Sequence, residues 1–320
     1  MPDFNRPAFI ETRKGHAFSE MVVRDFERGL LKNGFSKKKE QFSFFWDILG
    51  RIAGRVGYSH PIRIDSRPPL VVGLMGLAER QIYPYTFSTE IFPYIWDCWP
   101  TRQADWRSFF DRHQFPLVAF TSIDAANFWR QELPKTKVLW LAEAIDTDSF
   151  PAGPLLVERN SVLLEIGRRH ETAHAVAELT LDSMGAGHMF RKSADKDFLP
   201  TRTDLVSALH TNRALLCHPG SVTDPSGRTG LWESMTHRYL EAVATKTLVV
   251  GHIPHEMKVL FGFEPGITVQ DSDLPDLLED LHRDAGRFQG LVDKAYRRLL
   301  EVATWDVRAD QLKNLCRSDD

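Results

Sequence analysis

Apolar residues in this chain gather in short runs, separated by longer stretches in which they recur every three or four positions. The short runs are PAFIET (7–12), PLVVGLM (69–75), PLVAFTS (116–122), KVLWLAE (137–143), SVLLEIG (161–167), RALLCHP (213–219) and KTLVVG (246–251). They are nearly continuous in Val, Leu, Ile and Phe and bounded by turn-forming residues, so they predict strands. The amphipathic stretches predict helices over 18–33, 37–53, 101–112, 123–132, 171–183, 203–211, 234–244, 254–260, 273–283 and 287–303. Continuous apolar strands separated by helices belong to parallel sheets covered on both faces. The expected fold class is therefore α/β and doubly wound. The segment AIDTDSFPAGP (144–154) interrupts the pattern with polar and turn-forming residues before a fresh strand, which divides the chain into two halves of similar size.

Composition narrows the function classes. With 320 residues, 42% hydrophobic and 26% charged, there is material for two packed cores. A net charge of −3 exerts no global pull on nucleic acid or anionic lipid. Cys98, Cys217 and Cys316 are far apart and odd in number, which suits a reducing compartment better than a disulfide framework. The segment MPDFNRPAF lacks the layout of a signal peptide, and no apolar run approaches the ~18 residues that span a bilayer. A soluble cytoplasmic protein is expected.

Ligands of doubly wound sheets sit at the carboxyl ends of strands. The first such end with a recognisable spelling is RRHETAH (168–174), where His170, Glu171 and His174 write H-E-x-x-H. A zinc peptidase needs this motif inside a helix, so that both histidines share a face and the glutamate acts as base. Here the motif directly follows SVLLEIG, a strand and a turn. The extended form fails at Ala177 and Thr180, and nothing in the spacing recommends His188 as third ligand. The favoured reading is no metal, with the zinc metallohydrolase as alternative.

The richer stretch is LLCHPGSVTDPSGRTGLWESMTHRYLEAVATKTLVVG (215–251). A strand ends at Cys217, a loop of Gly, Ser, Thr and Pro follows, and a helix is expected from about Ser234. Glycines before a helix N-terminus suit phosphate binding through free backbone N–H groups. Glu233 would stand at the helix mouth and Glu241 two turns along it, ~12 Å away. Carboxylates accept hydrogen bonds from pairs of hydroxyls and so suit a sugar and a ribose.

The string His218, Pro219, Ser221, Gly230, Glu233, Ser234, Thr236, Arg238, Tyr239, Glu241, Ala242, Ala244 resembles the "glycosyl transferases group 1" pattern of retaining GT-B glycosyltransferases, with its E-x7-E motif. LLEIGRR (163–169) is similar to that family's strand ending in G-R. FLPTRTDLVSAL (198–209) is similar to the segment covering the nucleobase, and AYRRLLEVATWDVRADQL (295–312) to the closing helices. The resemblance implies two Rossmann-like domains facing a cleft. Residues 1–148 would bind the acceptor and 149–295 a nucleotide-diphosphate sugar, while 296–320 would form a C-terminal helix packing back on the first domain. It further implies that Arg168 pairs with the donor diphosphate and that Glu233 contacts the transferred sugar. Glu241 would hold the ribose, with Gly167, Arg169, His218, Ser221, Gly230, Leu231 and Trp232 lining the donor site. Transfer would retain configuration without metal or other cofactor, the leaving phosphate itself taking the acceptor proton; a sugar-nucleotide-binding protein without catalysis is the further alternative. One departure stands out: the lysine that the family carries after G-R is replaced here by Ala173 and His174, and Arg169, His170, Arg191 and Lys192 are the available substitutes.

In the first half, His16 lies in ETRKGHAF (11–18) after the first strand, where a loop histidine can stabilise charge or position an acceptor hydroxyl. STEIFPYIWDCWP (88–100) packs aromatics around Glu90 and Asp97. Aromatic faces and carboxylates bind sugars, although aromatic stretches at strand spacing more often form core. Lys37, Lys38 and Lys39 beside Phe42, Phe44, Phe45 and Trp46 read as an amphipathic helix with a solvated basic face. Docking at the inner face of a membrane is the rarer alternative. The acceptor is left open among a glycan, a lipid-linked sugar and a small molecule.

Overall fold

A computed structural model describes residues 7–11, 18–39, 48, 52, 69–77, 79–82, 85–87, 89–192 and 198–317. The chain divides into two compact units, Met1–Ala142 with Trp305–Asp320, and Glu143–Thr304.

The first unit carries β1 (Ala8–Glu11), α1 (Phe18–Lys32), β2 (Ser36–Lys39), β3 (Leu70–Met75), β4 (Ile91–Trp96), α2 (Gln103–Arg112), β5 (Leu117–Phe120), α3 (Ile123–Glu132) and β6 (Lys137–Trp140). The strands form one parallel sheet in the order β2-β1-β3-β4-β5-β6. Its direction of growth reverses between β1 and β3. Every residue of β4 is buried, and Tyr94, Trp96 and Phe26 of α1 pack ring against ring at 4.5–5.4 Å. The aromatic run is thus core, the commoner reading of aromatics at strand spacing.

One expectation for this half is corrected. The helix predicted from residue 37 does not begin there: Ser36–Lys39 is an edge strand, in parallel register with β1, and Lys37 Nζ lies 3.0 Å from Glu11. Consecutive lysines suit an edge strand because charge discourages a further strand from adding. The aromatic part of that segment, Phe42 to Trp46, lies outside the described residues, as does His16. Glu90 and Asp97 do not share a site. They flank β4 at opposite ends, and seven residue steps of strand separate them by ~23 Å. Asp97 is on the carboxyl side, with a positive φ of 55°.

The second unit carries β7 (Ser161–Glu165), α4 (Glu171–Ser183), β8 (His188–Phe190), α5 (Arg202–Thr211), β9 (Asn212–Cys217), a single turn α6 (Gly220–Thr223), α7 (His237–Ala244), β10 (Leu248–Gly251), α8 (His255–Phe261), β11 (Ile267–Thr268), α9 (Leu274–Arg283) and α10 (Gln289–Val302). Its sheet is also parallel, ordered β11-β10-β9-β7-β8. Leu163, Leu216, Leu248 and Val250 meet Ala173, Ala177 and Leu181 of α4 and Leu278 of α9 in a continuous core. Residues 143–148 and 296–304 belong with this unit, not on the other sides of the boundaries expected at 148 and 296, and Ile145 forms a parallel bridge to Thr304 within it.

The last helix, α11 (Trp305–Arg317), belongs to the first unit. Trp305 packs on Phe26 at 5.4 Å, and a Cβ on Gly29 of α1 would collide with it. Arg308 Nε and Tyr94 Oη both donate to the carbonyl of Ala142, at 2.6 and 2.9 Å. Among the described residues no helix is long and apolar enough to cross a membrane.

Candidate functional site

The order of the second sheet places its switch point between β7 and β9: the chain leaves β7 toward β8 on one side and continues through β9, β10 and β11 on the other. Loops diverge at such a point and open a crevice at the carboxyl edge. The loops there are those after Glu165, Cys217, Gly251 and Thr268.

After β7 the chain turns at Gly167, whose φ of +89° is open to glycine at no steric cost. Arg168 follows, and its guanidinium reaches across to the next loop and lies against Gly220. A Cβ built on Gly220 would meet that guanidinium and Thr229. The absence of a side chain at Gly220 is therefore what lets Arg168 settle at the switch point. Arg169 turns the other way, donating to the Arg191 carbonyl at 2.6 Å and lying over the Phe190 ring at 5.4 Å.

His170 is the N-cap of α4, with extended φ and ψ of −93° and 105°. Its ring lies 4.7 Å from that of His218, and its Nδ1 is 3.7 Å from Asp271. Thr172 Oγ1 donates to the other oxygen of Asp271 at 2.5 Å. Burial, with His170 beside it, lowers the pKa of His218 to about 4. At neutral pH that ring is uncharged. Ser221, in the turn after Gly220, has a buried hydroxyl with no partner among the described residues.

This geometry dismantles the H-E-x-x-H motif as a zinc peptidase site. His170 stands outside the helix and out of its phase, directed at His218 and Asp271. His174, inside the helix, meets Glu165 and His188 instead. Glu171 is exposed on the first turn. The i, i+4 rule holds only when both residues are helical.

The E-x7-E segment also differs from expectation. α7 begins at His237, so Glu233 lies in a loop before it. Its Oε1 is 2.7 Å from His252 Nε2, and its Oε2 accepts from the His255 backbone N–H at 2.8 Å, capping α8. Glu241 is on α7 but 2% exposed, bound by Arg238 of the same helix. Gly230 and Trp232 do not present free amides: Gly230 donates to Gly227 and Trp232 to Thr229, each at 3.1 Å. Leu231 between them is 83% exposed. These short-range turns use the donors expected to cradle phosphate.

His252, His255 and Asp271 complete the carboxyl edge and escaped the sequence reading. The first two follow the recognisable strand KTLVVG and could have been found from it. Asp271 follows a strand of two residues, too short to leave a periodic signal.

The fold is that of the GT-B class, two α/β units each built on a parallel sheet. Among solved structures, a sucrose-phosphate synthase from Thermosynechococcus elongatus matches with a TM-score of 0.59 at 11% identity, over 98% of this chain and 96% of that one. The Anabaena protein HepE, solved in complex with UDP, matches at 0.58 and 11%, over 98% and 100% of the two chains. AviGT4, a glycosyltransferase involved in avilamycin A biosynthesis, matches at 0.52 and 13%, over 98% of each chain. At such identities the likeness is one of fold. No family model and no curated protein sequence matches the chain.

Proposed function

We propose that this chain is a glycosyltransferase that takes a sugar from a nucleotide-diphosphate donor. The observation that carries the reading is Arg168 resting on Gly220 at the switch point of the second sheet. A guanidinium there meets a diphosphate in the bidentate geometry it favours. HepE, of the same fold, is solved with UDP, which supports a nucleotide ligand.

In this reading the second unit, residues 143–304, forms the donor domain. Arg168 binds the diphosphate, Gly167 and Arg169 shape its loop, and Ser221 offers its unpartnered hydroxyl. His170 and His218 stand in for the missing lysine, and a diphosphate there favours the protonated form of His218. Glu241 holds the ribose once Arg238 yields, and Glu233 contacts the transferred sugar. The charge on the leaving diphosphate is stabilised by these cations without a resident metal at this edge, and configuration is retained. The first unit, residues 1–142 with 305–320, takes the acceptor, with His16 and Asp97 as its contacts. The acceptor is a glycan, a lipid-linked sugar or a small molecule, and the reaction is cytoplasmic.

The test is a thermal-shift screen of the protein with UDP, GDP, ADP and dTDP and their sugars, repeated on Arg168→Ala. One nucleotide should stabilise the wild type and fail to stabilise the variant. If none does, the reading loses its foundation. Slow donor hydrolysis by the wild type, abolished in Glu233→Ala, separates an enzyme from a protein that only binds the nucleotide.

A further inference from the structure

A second histidine cluster lies behind this site, on the inner side of α4. Glu165, the last residue of β7, points one oxygen at two imidazoles from different elements. His174 Nδ1, in the first turns of α4, is 3.0 Å from Glu165 Oε1, and His188 Nε2, on β8, is 2.8 Å from the same oxygen. The side chains are only 9%, 9% and 4% exposed for His174, Glu165 and His188. A polar knot in this position displaces apolar core and calls for a reason.

Hydrogen bonding alone accounts for it poorly. If both inner nitrogens donate to Glu165, neutral rings must carry lone pairs on their outer nitrogens. The outer nitrogen of His174, Nε2, then turns a lone pair toward the Glu178 carboxylate 3.9 Å away. That of His188, Nδ1, is buried without a partner among the described residues. A cation at the centre reverses the first arrangement. Each inner nitrogen becomes a ligand, each outer nitrogen carries the proton, and His174 presents its N–H to Glu178. A carboxylate behind a ligating histidine is the usual outer shell of a zinc site.

We propose that Glu165, His174 and His188 bind a divalent cation of borderline softness, zinc first, with a fourth position left to water. Two histidines and one carboxylate are a zinc ligand set. Zn–N and Zn–O bonds of ~2.0–2.2 Å put tetrahedral ligand atoms roughly 3.3 Å apart, so the two Glu165–histidine contacts need to open by a few tenths of an ångström, and all the ligand atoms already lie within 4.8 Å of one another. β8 is the edge strand of its sheet and is half-buried, which gives the ion a way in. Once bound, it ties β7, α4 and β8 together under the Gly167–Arg169 turn. Phe190, packed on His174 and His188 at 4.7 and 4.6 Å, is the surface on which Arg169 lies. The site is independent of the donor reading: it needs no nucleotide, and the cluster at the edge, His170, His218 and Asp271, is not part of it.

The experiment is elemental analysis of the untagged protein purified without chelator, followed by Zn2+ and Co2+ titration of chelator-treated protein. One equivalent of zinc is expected, with a rise in Tm on adding zinc to the stripped protein. Bound Co2+ should show the visible absorption of a low-coordinate, nitrogen-ligated ion. Glu165→Gln and His188→Ala should lose the ion, while Asp271→Asn keeps it. Should the buried variants fail to fold, Glu178→Gln, altered at a position 47% exposed, should fold and bind zinc about 10–100-fold more weakly. Three results would overturn the proposal: no metal and no metal-dependent change in Tm, full zinc binding by Glu165→Gln, or loss of zinc in Asp271→Asn. A cluster that instead gains stability only as pH falls, indifferent to zinc, would show an imidazolium bridging Glu165 and Glu178 in place of the ion and would also overturn the proposal.

Discussion

The guanidinium of Arg168 occupies the volume that a side chain on Gly220 would fill. Two loops fifty residues apart in the chain are thereby fitted to each other at the switch point of the second sheet. Arg168→Ala should weaken binding of the nucleotide found by screening by about 10–100-fold, since hydrogen bonds to a charged group are worth roughly 1.5–3 kcal/mol. Gly220→Ala should do nearly as much without touching the arginine, because the methyl group evicts it. Calorimetric titration of both variants checks this. Undiminished affinity in Gly220→Ala would separate Arg168 from the nucleotide.

His218 gives a signature in pH. Burial holds its pKa at about 4, below the ordinary 6.5. The folded ring stays neutral over that interval while the unfolded chain takes up a proton, so stability falls as pH drops from 6.5 toward 4. A bound diphosphate opposes this by favouring the imidazolium, and the His218 midpoint should rise when nucleotide is added. Proton NMR of the ring, with His218→Gln for assignment, measures both values. A midpoint indifferent to saturating nucleotide would remove His218 from the phosphate site.

Glu233 has a structural duty besides any contact with sugar. It caps α8 through the His255 N–H and holds His252. Glu233→Ala should cost about 0.5–2 kcal/mol, the usual range for a lost cap. Glu233→Gln keeps an acceptor and should recover most of that stability. Denaturant melts of the two variants give the comparison. If donor turnover also falls in Glu233→Gln, the loss cannot be blamed on the missing cap.

Arg159 is the anchor at the opposite edge of the second sheet. Buried at 2% exposure, it donates to the carbonyls of Pro154, Leu209, Asn212, Thr245 and Lys246 and to the Thr247 hydroxyl. Each orphaned buried acceptor costs roughly 1–3 kcal/mol. Arg159→Ala should therefore destabilise by more than about 4 kcal/mol, and Arg159→Lys should rescue little, having one nitrogen for six acceptors. Expression level and urea midpoint report the effect, and a near-native midpoint in Arg159→Lys would contradict it.

In the first unit, Glu79 accepts from Arg112 Nε and Nη2 at 3.0 Å each and lies 2.7 Å from His113 Nε2. Burial pushes its pKa up, but these partners overcome it and hold the carboxyl at about 2 against an ordinary 4.5. A folded value below the unfolded one contributes stability that is complete above pH 4.5 and is lost as pH falls toward 2. Glu79→Gln should be less stable than wild type at pH 7, with the gap closing across that window. A gap of constant size down to pH 2 would rule out the linkage.

Local order was largely legible. Apolar runs and helical periods marked seven strands and nearly all helices, because burial on two faces and the 3.6-residue period both leave local traces. The turns at Gly167 and after Cys217 were legible for the same reason, each being a strand end followed by glycine or proline. β4 was not read as a strand: Pro93 stands in its middle, and proline argues against a central strand. Lys37–Lys39 read as the start of a helix because three lysines carry no periodicity of their own.

What the chain by itself determined was its class, two parallel α/β halves, and the short list of loops where a ligand can sit. Tertiary structure alone decided which side chains meet. It brought Arg168 to Gly220 and sent His170 and His174 to different clusters. It also set Glu90 and Asp97 at opposite ends of one strand, and moved Glu233 off its helix to cap another. The physical reason is range. Periodicity records which face of an element is buried, whereas strand order, helix phase at a cap and the meeting of loops are set by packing between residues distant in the chain.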